Sequence, residues 1–341
     1  MRQQFRINDL FAQQAARHLG TPDLVHAWSG SAEPSLLVAR KRGVPSVLER
    51  SSSHMLEQCR LLREEHAALG LYWEETPRQT VERELREYEL AEQVFVPSEF
   101  VRRTFVGTGF PAARLFANGF GVDLSLFQPA AKADHAFRVV CAGSLSVRKG
   151  IHHLADAFRQ AGIAGSELLL IGAESADTNR LVGRPSFGIR RIGHVPQSQL
   201  PTLYQQASVF VMASIEEGQA MVQAQALACG LPLVCSANTG GEDFLSLDGE
   251  GVEIAEGVLE FSAGYVVRPG DASAIAFVLR RLFCDPSRLA SMRRAAITLA
   301  QRDLSWRRYA TANLKQYKSV VCASRSASAS KSRASALASA S

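Results

Sequence analysis

The chain has 341 residues, 46% hydrophobic and 21% charged, with a formal net charge of +5. That composition fits a soluble globular protein of about two domains, each long enough to bury a core. It excludes a membrane span, because no uncharged apolar run is long enough, and a nucleic-acid binder, because no dense Lys/Arg block is interleaved with aromatics.

The start, "MRQQFRINDLFAQQ", is polar and charged and does not read as a signal peptide. The expected compartment is the cytoplasm. The modest positive excess suits an anionic ligand, or peripheral contact with the inner, acidic membrane surface. Four short apolar runs follow: "DLVHAW" (23–28), "PSVLER" (45–50), "QVFVPS" (93–98) and "RLFANG" (114–119). "DLSLFQPAAKADHAF" (123–137) breaks the rhythm and reads as a linker. Six more runs come after it: "RVVCAGS" (138–144), "ELLLIGA" (167–173), "IRRIGHV" (189–195), "SVFVMAS" (208–214), "LPLVCSA" (231–237) and "GYVVRP" (264–269). Helical stretches such as "GIHHLADAFRQAG" and "DASAIAFVLRRLFCD" lie between them. Strands alternating with helices predict parallel sheets with both faces covered, an α/β class of two doubly wound domains.

The expected boundaries are 1–122 for a first domain, 123–137 for the linker and 138–322 for a second domain. The Ser/Ala-rich remainder, 323–341, has almost nothing to bury and is expected to be disordered. The six cysteines contain no C-x-x-C pair and are expected mainly as buried reduced thiols.

In open α/β sheets, ligands bind beyond the carboxyl ends of the strands. After "RVVCAGS" comes "LSVRKGIHHL". Gly143 and Ser144 allow close backbone approach, and Arg148 and Lys149 precede a helix N-terminus, itself suited to anions. The stretch reads either as a diphosphate cradle or as a solvated turn with two surface cations. After "SVFVMAS" comes "IEEGQAMVQAQALACG". A buried helix is expected over 220–229, with Gly230 just past its end. Glu216 and Glu217 then stand at its start, either complementing the helix dipole or facing a ligand. Backbone NH groups of Gln219 and Ala220, freed by Gly218, would point outward. Gln225 would lie two turns along the same helix. A buried glutamine costs of order 1–3 kcal/mol unless it finds partners, and ligand hydroxyls could supply them. "NTGGED" places Thr239 and Gly240 in a turn that either closes on a ligand or is a plain strand-to-helix loop.

Taken together, "GSLSVRKG", "IGHVPQSQLPTLYQQASVFVMASIEEGQAMVQAQALACGLPLV", "NTGGED", "GYVVRPGDASAIAFVLRRLF" and "FANGFGVDLSLFQP" resemble the family-four, group 1, retaining glycosyltransferases of the GT-B fold. The likeness covers about residues 24–317 and is densest from 118 onward. The resemblance implies two Rossmann-like domains facing each other across a cleft, the first on the acceptor side, the second holding a nucleotide-diphosphate sugar. It implies diphosphate binding by Arg148 and Lys149 and a catalytic-side Glu217 near the reacting carbon. The sugar would rest on Gly218, Gln219, Ala220 and Met221. Gln225 would sit at the ribose, in place of the family's glutamate, and Val195 near the base.

The partners implied are a UDP- or GDP-linked sugar and a glycan, lipid-linked or small-molecule acceptor. No other cofactor is implied, and with no D-x-D motif no catalytic metal. His54 is a candidate for the acceptor side or a helix-cap histidine. The family's first strand and glycine-rich loop have no counterpart here, so a short or truncated first domain is expected. That departure keeps open a nucleotide-sugar-binding protein with impaired catalysis, beside another chemistry on the same fold such as nucleotide-sugar epimerisation.

Overall fold

The computed structural model describes residues 2–183 and 188–338. The first unit runs α1 (Arg2–Arg17), β1 (Val25–Trp28), α2 (Glu33–Arg42), β2 (Ser46–Glu49), α3 (Met55–Ala68), α4 (Arg78–Leu90), β3 (Gln93–Val96), α5 (Glu99–Gly107) and β4 (Leu115–Ala117). The second begins with β5 (Arg138–Ala142), α6 (Ile151–Ala161), β6 (Glu167–Ile171), α7 (Thr178–Val182), β7 (Ile189–Gly193), α8 (Leu200–Gln205), β8 (Val209–Met212) and α9 (Met221–Ala228). It continues with β9 (Leu233–Ser236), α10 (Glu242–Leu245), β10 (Val252–Ala255), β11 (Val258–Phe261), β12 (Gly264–Val267), α11 (Ala272–Cys284) and α12 (Pro286–Asp303). The last helix is α13 (Trp306–Ala338).

The first sheet is parallel, in the order β1-β2-β3-β4. The second has the order β10-β11-β12-β9-β8-β5-β6-β7. It is parallel except for β10, β11 and the β11–β12 pairing. Its central strands show why they form there. In β5, Val139 and Cys141 face one core while Val140 and Ala142 face the other. β6 and β8 repeat that alternation, the signature of strands covered on both faces. All ten apolar runs read from the sequence are strands. The hairpin β10–β11 is additional, and it makes the second sheet eight-stranded instead of six.

Three expected boundaries change. The segment 123–137 is not a free tether: Phe127 is buried in the second unit's core and Phe137 packs on the opposite face of the same sheet. Nor does the second domain keep the chain to 322. Helix α13 returns to the first sheet, where Val320 and Tyr317 pack on Val47 and Phe95. Polar anchors hold it: Tyr309 Oη donates to Glu49 Oε1 at 2.9 Å, and Asn118 Nδ2 donates to Asn313 Oδ1 at 2.6 Å. Finally, the Ser/Ala tail continues that helix as far as Ala338. Alanine has the highest intrinsic helix propensity, and an already formed helix propagates without a new nucleus. Residues 339–341 of the tail lie outside the described residues.

All six cysteines are free. Cys59, Cys141, Cys229 and Cys235 are buried, whereas Cys284 and Cys322 are exposed. Among the described residues no helix is long and apolar enough to cross a membrane.

Candidate functional site

Strand order reverses at β5, whose sheet neighbours β6 and β8 lie on opposite sides of it. A cleft of about 640 Å³ opens beyond the carboxyl ends of these strands, the position expected for a ligand in an open α/β sheet. Gly143, Ser144, Arg148, Lys149, Val195, Glu217, Gln219, Ala220, Met221 and Gln225 all line it. Ten side chains or backbone segments singled out in the sequence are thus brought together.

The basic pair arrives through a short turn of 3-10 helix, Val147–Lys149, which Gly150 ends in the left-handed conformation, φ +61°. A Cβ at Gly150 would collide with the backbone carbonyl of Ala213, so only glycine lets this turn pack under β8. Arg148 Nε donates to Glu216 Oε2 at 2.8 Å, and its Nη2 reaches Ser52 Oγ at 3.3 Å. Lys149 Nζ is paired with Glu217. Burial opposes the charge on Arg148, but Glu216 and Glu217 offset it and its pKa is raised. The cations are therefore held in place by carboxylates.

The helix after β8 begins at Met221, one residue from the expected start, with Ala220 as N-cap. Glu217 lies in the preceding loop, so its position is not set by helical spacing from Gln225. Gly218 in that loop lies hard against the first unit: a Cβ there would strike the Ser51 carbonyl, and the Gly218 carbonyl accepts from Ser98 Oγ at 2.7 Å.

The glutamines divide by their bonds. Gln219 Oε1 accepts from Phe120 N at 2.7 Å and its Nε2 donates to Gly240 O at 3.2 Å. Gln223 exchanges bonds with Thr239. Gln225, only 5% exposed, has a buried Oε1 with no hydrogen-bond partner among the described residues. Of these three glutamines it is the one with an unpartnered buried oxygen in the cleft wall.

Four expected residues are not in that wall. Gly218 forms the contact between units. Thr239 is fully buried, bonded to Gln223 and Ser236. Gly240 packs against the Gly218 carbonyl and Ser98. Both shape the loop from behind. His54 caps α3, its Nδ1 accepting from Leu56 N at 3.4 Å, and its ring packs between Tyr88 and Phe105. Burial, aided by the nearby Arg50 charge, pushes its pKa down to about 4. It is the helix-cap histidine.

Sequence reasoning missed the first unit's share. Ser51, Ser52 and Phe120 line the cleft from that side, with His194 beside Val195. Glu216 was read as complementing a helix dipole or facing a ligand. It is fully buried and accepts from Ser53 N at 2.9 Å, Ser53 Oγ at 2.6 Å and Gln58 Nε2 at 3.0 Å. Burial resists its ionisation, but Arg148 and the Ser53 and Gln58 bonds prevail and its pKa is lowered. Gln58 in turn accepts from Arg50, which pairs with Glu84 at 2.6 Å. A buried polar chain thus joins the two units behind the cations.

Comparison with known proteins agrees with this architecture. Residues 136–285 match the family described as glycosyl transferases group 1. An O-antigen chain mannosyltransferase B of Escherichia coli is 33% identical over 132 residues, 38% of this chain and 30% of that protein. A D-inositol 3-phosphate glycosyltransferase of Arthrobacter sp. is 28% identical over 226 residues, 59% of this chain and 49% of that protein. These matches thus span half or less of the relatives' length. A longer match, 26% over 325 residues, covers 87% of this chain and 77% of a GDP-mannose-dependent phosphatidylinositol monomannoside mannosyltransferase of Mycolicibacterium smegmatis. The sucrose-phosphate synthase structure from Thermosynechococcus elongatus superposes with TM-score 0.70 at 20% identity, covering 94% of this chain and 79% of that one. HepE of Anabaena in complex with UDP gives TM-score 0.64 at 17% identity, covering 92% and 82%. The fold is GT-B.

Proposed function

From the premise that residues 136–285 are a group 1 glycosyltransferase domain, we propose that the protein transfers a hexose from a nucleotide diphosphate to an acceptor hydroxyl, with retention of anomeric configuration. The observation that carries this reading is Gln225. Its partnerless Oε1 stands in the wall of a cleft that also holds two cations. Ribose hydroxyls would supply the missing donors, while Arg148 and Lys149 would take the diphosphate.

The remaining roles follow from position. Val195 borders the base end. Backbone at Gln219 to Met221 receives the sugar, and Glu217 lies beside Lys149 where the glycosidic bond would break. As the diphosphate leaves, it gains negative charge, and preorganised cations stabilise it without a metal. Lys149 would then share its charge between Glu217 and phosphate. The carboxylate of Glu217 would oppose positive charge developing on the sugar. In this reading the leaving phosphate assists attack on the same face. The acceptor enters past Ser51 and Ser52. His54 has no place on the cleft and takes no step.

UDP and GDP are the donor nucleotides to test: HepE is seen with UDP, and the Mycolicibacterium relative is named as GDP-mannose-dependent. A glycan or lipid-linked acceptor fits the relatives' names, and α1 suits a lipid-linked one. Ile7, Leu10 and Phe11 are exposed along one face of it, at helical spacing. Peripheral contact with an anionic inner membrane face follows. Leu10→Glu with Phe11→Glu should reduce sedimentation with anionic vesicles, and unchanged sedimentation would remove this contact.

The direct test is a thermal-shift screen of nucleotide sugars, followed by NMR of the product's anomeric centre. The reading expects stabilisation by a UDP- or GDP-sugar and a product of unchanged configuration. Inversion, or product formed with no acceptor present, would overturn it in favour of another chemistry. Donor binding without turnover on any acceptor would leave a binding protein.

A further inference from the structure

Helix α6 opens with Ile151 and then two adjacent histidines, His152 and His153. Successive residues on a helix point about 100° apart, yet these rings turn towards each other, with centroids 4.0 Å apart. The reason lies across the units. Glu65 of α3 presents one oxygen, Oε1, to His152 Nε2 at 2.7 Å and to His153 Nε2 at 2.8 Å. None of the three lines the cleft or joins the buried chain through Glu216. His152 is buried and its Nδ1 has no partner among the described residues.

We propose that Glu65, His152 and His153 form a binding site for a first-row transition-metal dication of the zinc type, which ties the first unit to the second. The ligand atoms all lie within 4.8 Å of one another. Two imidazole nitrogens with one carboxylate oxygen form a borderline set. It suits Zn²⁺, Co²⁺ or Ni²⁺, whereas Mg²⁺ and Ca²⁺ take oxygen. Zinc binds such atoms at about 2.0–2.2 Å, which places them roughly 3.3 Å apart on a tetrahedral ion. The two bonds to Glu65 Oε1 need to lengthen by about half an ångström, and the two Nε2 atoms, within 4.8 Å of each other, need to stand roughly 3.3 Å apart, adjustments for the part-exposed side chains of His153 and Glu65 to make. On binding, each neutral imidazole carries its proton on Nδ1 and offers Nε2 to the ion. The partly exposed side leaves room for a water as fourth ligand. Because α3 and α6 belong to different units, the ion fixes their contact. This proposal stands independently of the transfer reaction.

The test uses the full chain without a histidine tag, freed of metal by chelator. Zn²⁺ is titrated by calorimetry and Co²⁺ by visible absorption, into the parent, Glu65→Gln and His153→Asn. Both substitutions keep a hydrogen-bonding side chain of similar size, and circular dichroism checks their fold. One ion per chain with micromolar or tighter affinity is expected, with a raised melting temperature in Zn²⁺. Each variant should bind at least tenfold more weakly. The Co²⁺ spectrum should show tetrahedral d–d bands and no thiolate charge transfer, which separates this site from the exposed Cys284 and Cys322. The trio is a hydrogen-bonded latch alone if no stoichiometric binding occurs. Affinity unchanged in both variants, or a thiolate band, places the metal elsewhere and equally overturns the site.

Discussion

The two walls of the cleft are built in opposite ways. The second unit supplies its wall from short contiguous stretches, each just past a strand: Gly143 to Lys149 after β5, Glu217 to Gln225 after β8. The first unit supplies Ser51, Ser52 and Phe120 and, behind them, a polar chain of Glu84, Arg50 and Gln58 that ends on the second unit's Glu216. One wall is chemistry carried on local motifs. The other is position, enforced by long-range polar contacts. A donor-binding surface can be written in a motif because its ligand groups are fixed distances apart. The opposing wall has to be held by whatever the fold brings near.

Substitutions that cut across the two walls should therefore differ in kind. Glu216→Ala is expected to do the most damage. It strips a fully buried carboxylate from Arg148, Ser53 and Gln58, and breaking a buried pair costs about 3–5 kcal/mol. Chemical denaturation should show that loss with nucleotide affinity falling as a consequence. A variant as stable as the parent would mean the units are not joined here.

Glu217→Gln should act on the other wall. It preserves size and removes one charge beside Lys149. Turnover should fall by about 10²–10³, comparable to losing one electrostatic stabiliser, with nucleotide affinity nearly unchanged. Steady-state kinetics with calorimetry reads both. Parent-like turnover would move the reacting carbon elsewhere in the cleft.

His54 sharpens the contrast through pH. Its folded pKa is lowered from 6.5 to about 4, chiefly by burial. The unfolded chain thus takes up this proton first as pH falls. Stability from His54 is present above pH 6.5 and is lost as pH drops towards 4. His54→Asn, which can still cap α3, should flatten that slope. If turnover instead tracked His54 while the stability profile stayed unchanged, the residue would belong to the reaction.

The smallest effect is expected at the tail. Truncation before Ala323 removes the exposed Arg325–Asp23 pair at 2.9 Å, and such pairs contribute about 0–1 kcal/mol. Truncation before Tyr309 should be far worse, because Tyr309, Asn313, Tyr317 and Val320 cover the first sheet. Equal melting temperatures for parent and the longer truncation would show that this helix does not hold the unit.

The strands were legible because Val139, Leu168 and Phe210 sit in runs that are apolar on both faces. The hairpin β10–β11 was not, since "VEIAEGVLEF" alternates with charges and leaves Val252 and Glu253 exposed. The start of α9 was legible to within one residue, 220 against Met221, whereas the close approach of Gly218 to Ser51 was not, because Ser51 lies in the other unit. The buried Gln225 was legible as an unpaired amide. Glu216 was visible as one of two glutamates, but its partners lie more than 150 residues away in sequence, apart from Arg148. Helix α13 was hidden by its composition, which gives no sign that Tyr309 and Tyr317 fold back on β1 to β4.

The central claim is that Gln225 and the cations mark two ends of one nucleotide-diphosphate site. Calorimetric titration of UDP and GDP into the parent, Lys149→Ala and Gln225→Leu tests it most directly. One nucleotide should bind the parent one to one. Lys149→Ala should weaken it at least tenfold, from a charge-assisted contact of ~1.5–3 kcal/mol, and Gln225→Leu about three- to tenfold, from a neutral bond of ~0.5–1.5 kcal/mol. Gln225→Leu should leave the melting temperature of the free protein unchanged or higher, since it removes an unsatisfied buried oxygen. No binding of either nucleotide, or parent-like affinity in both variants, would contradict the account.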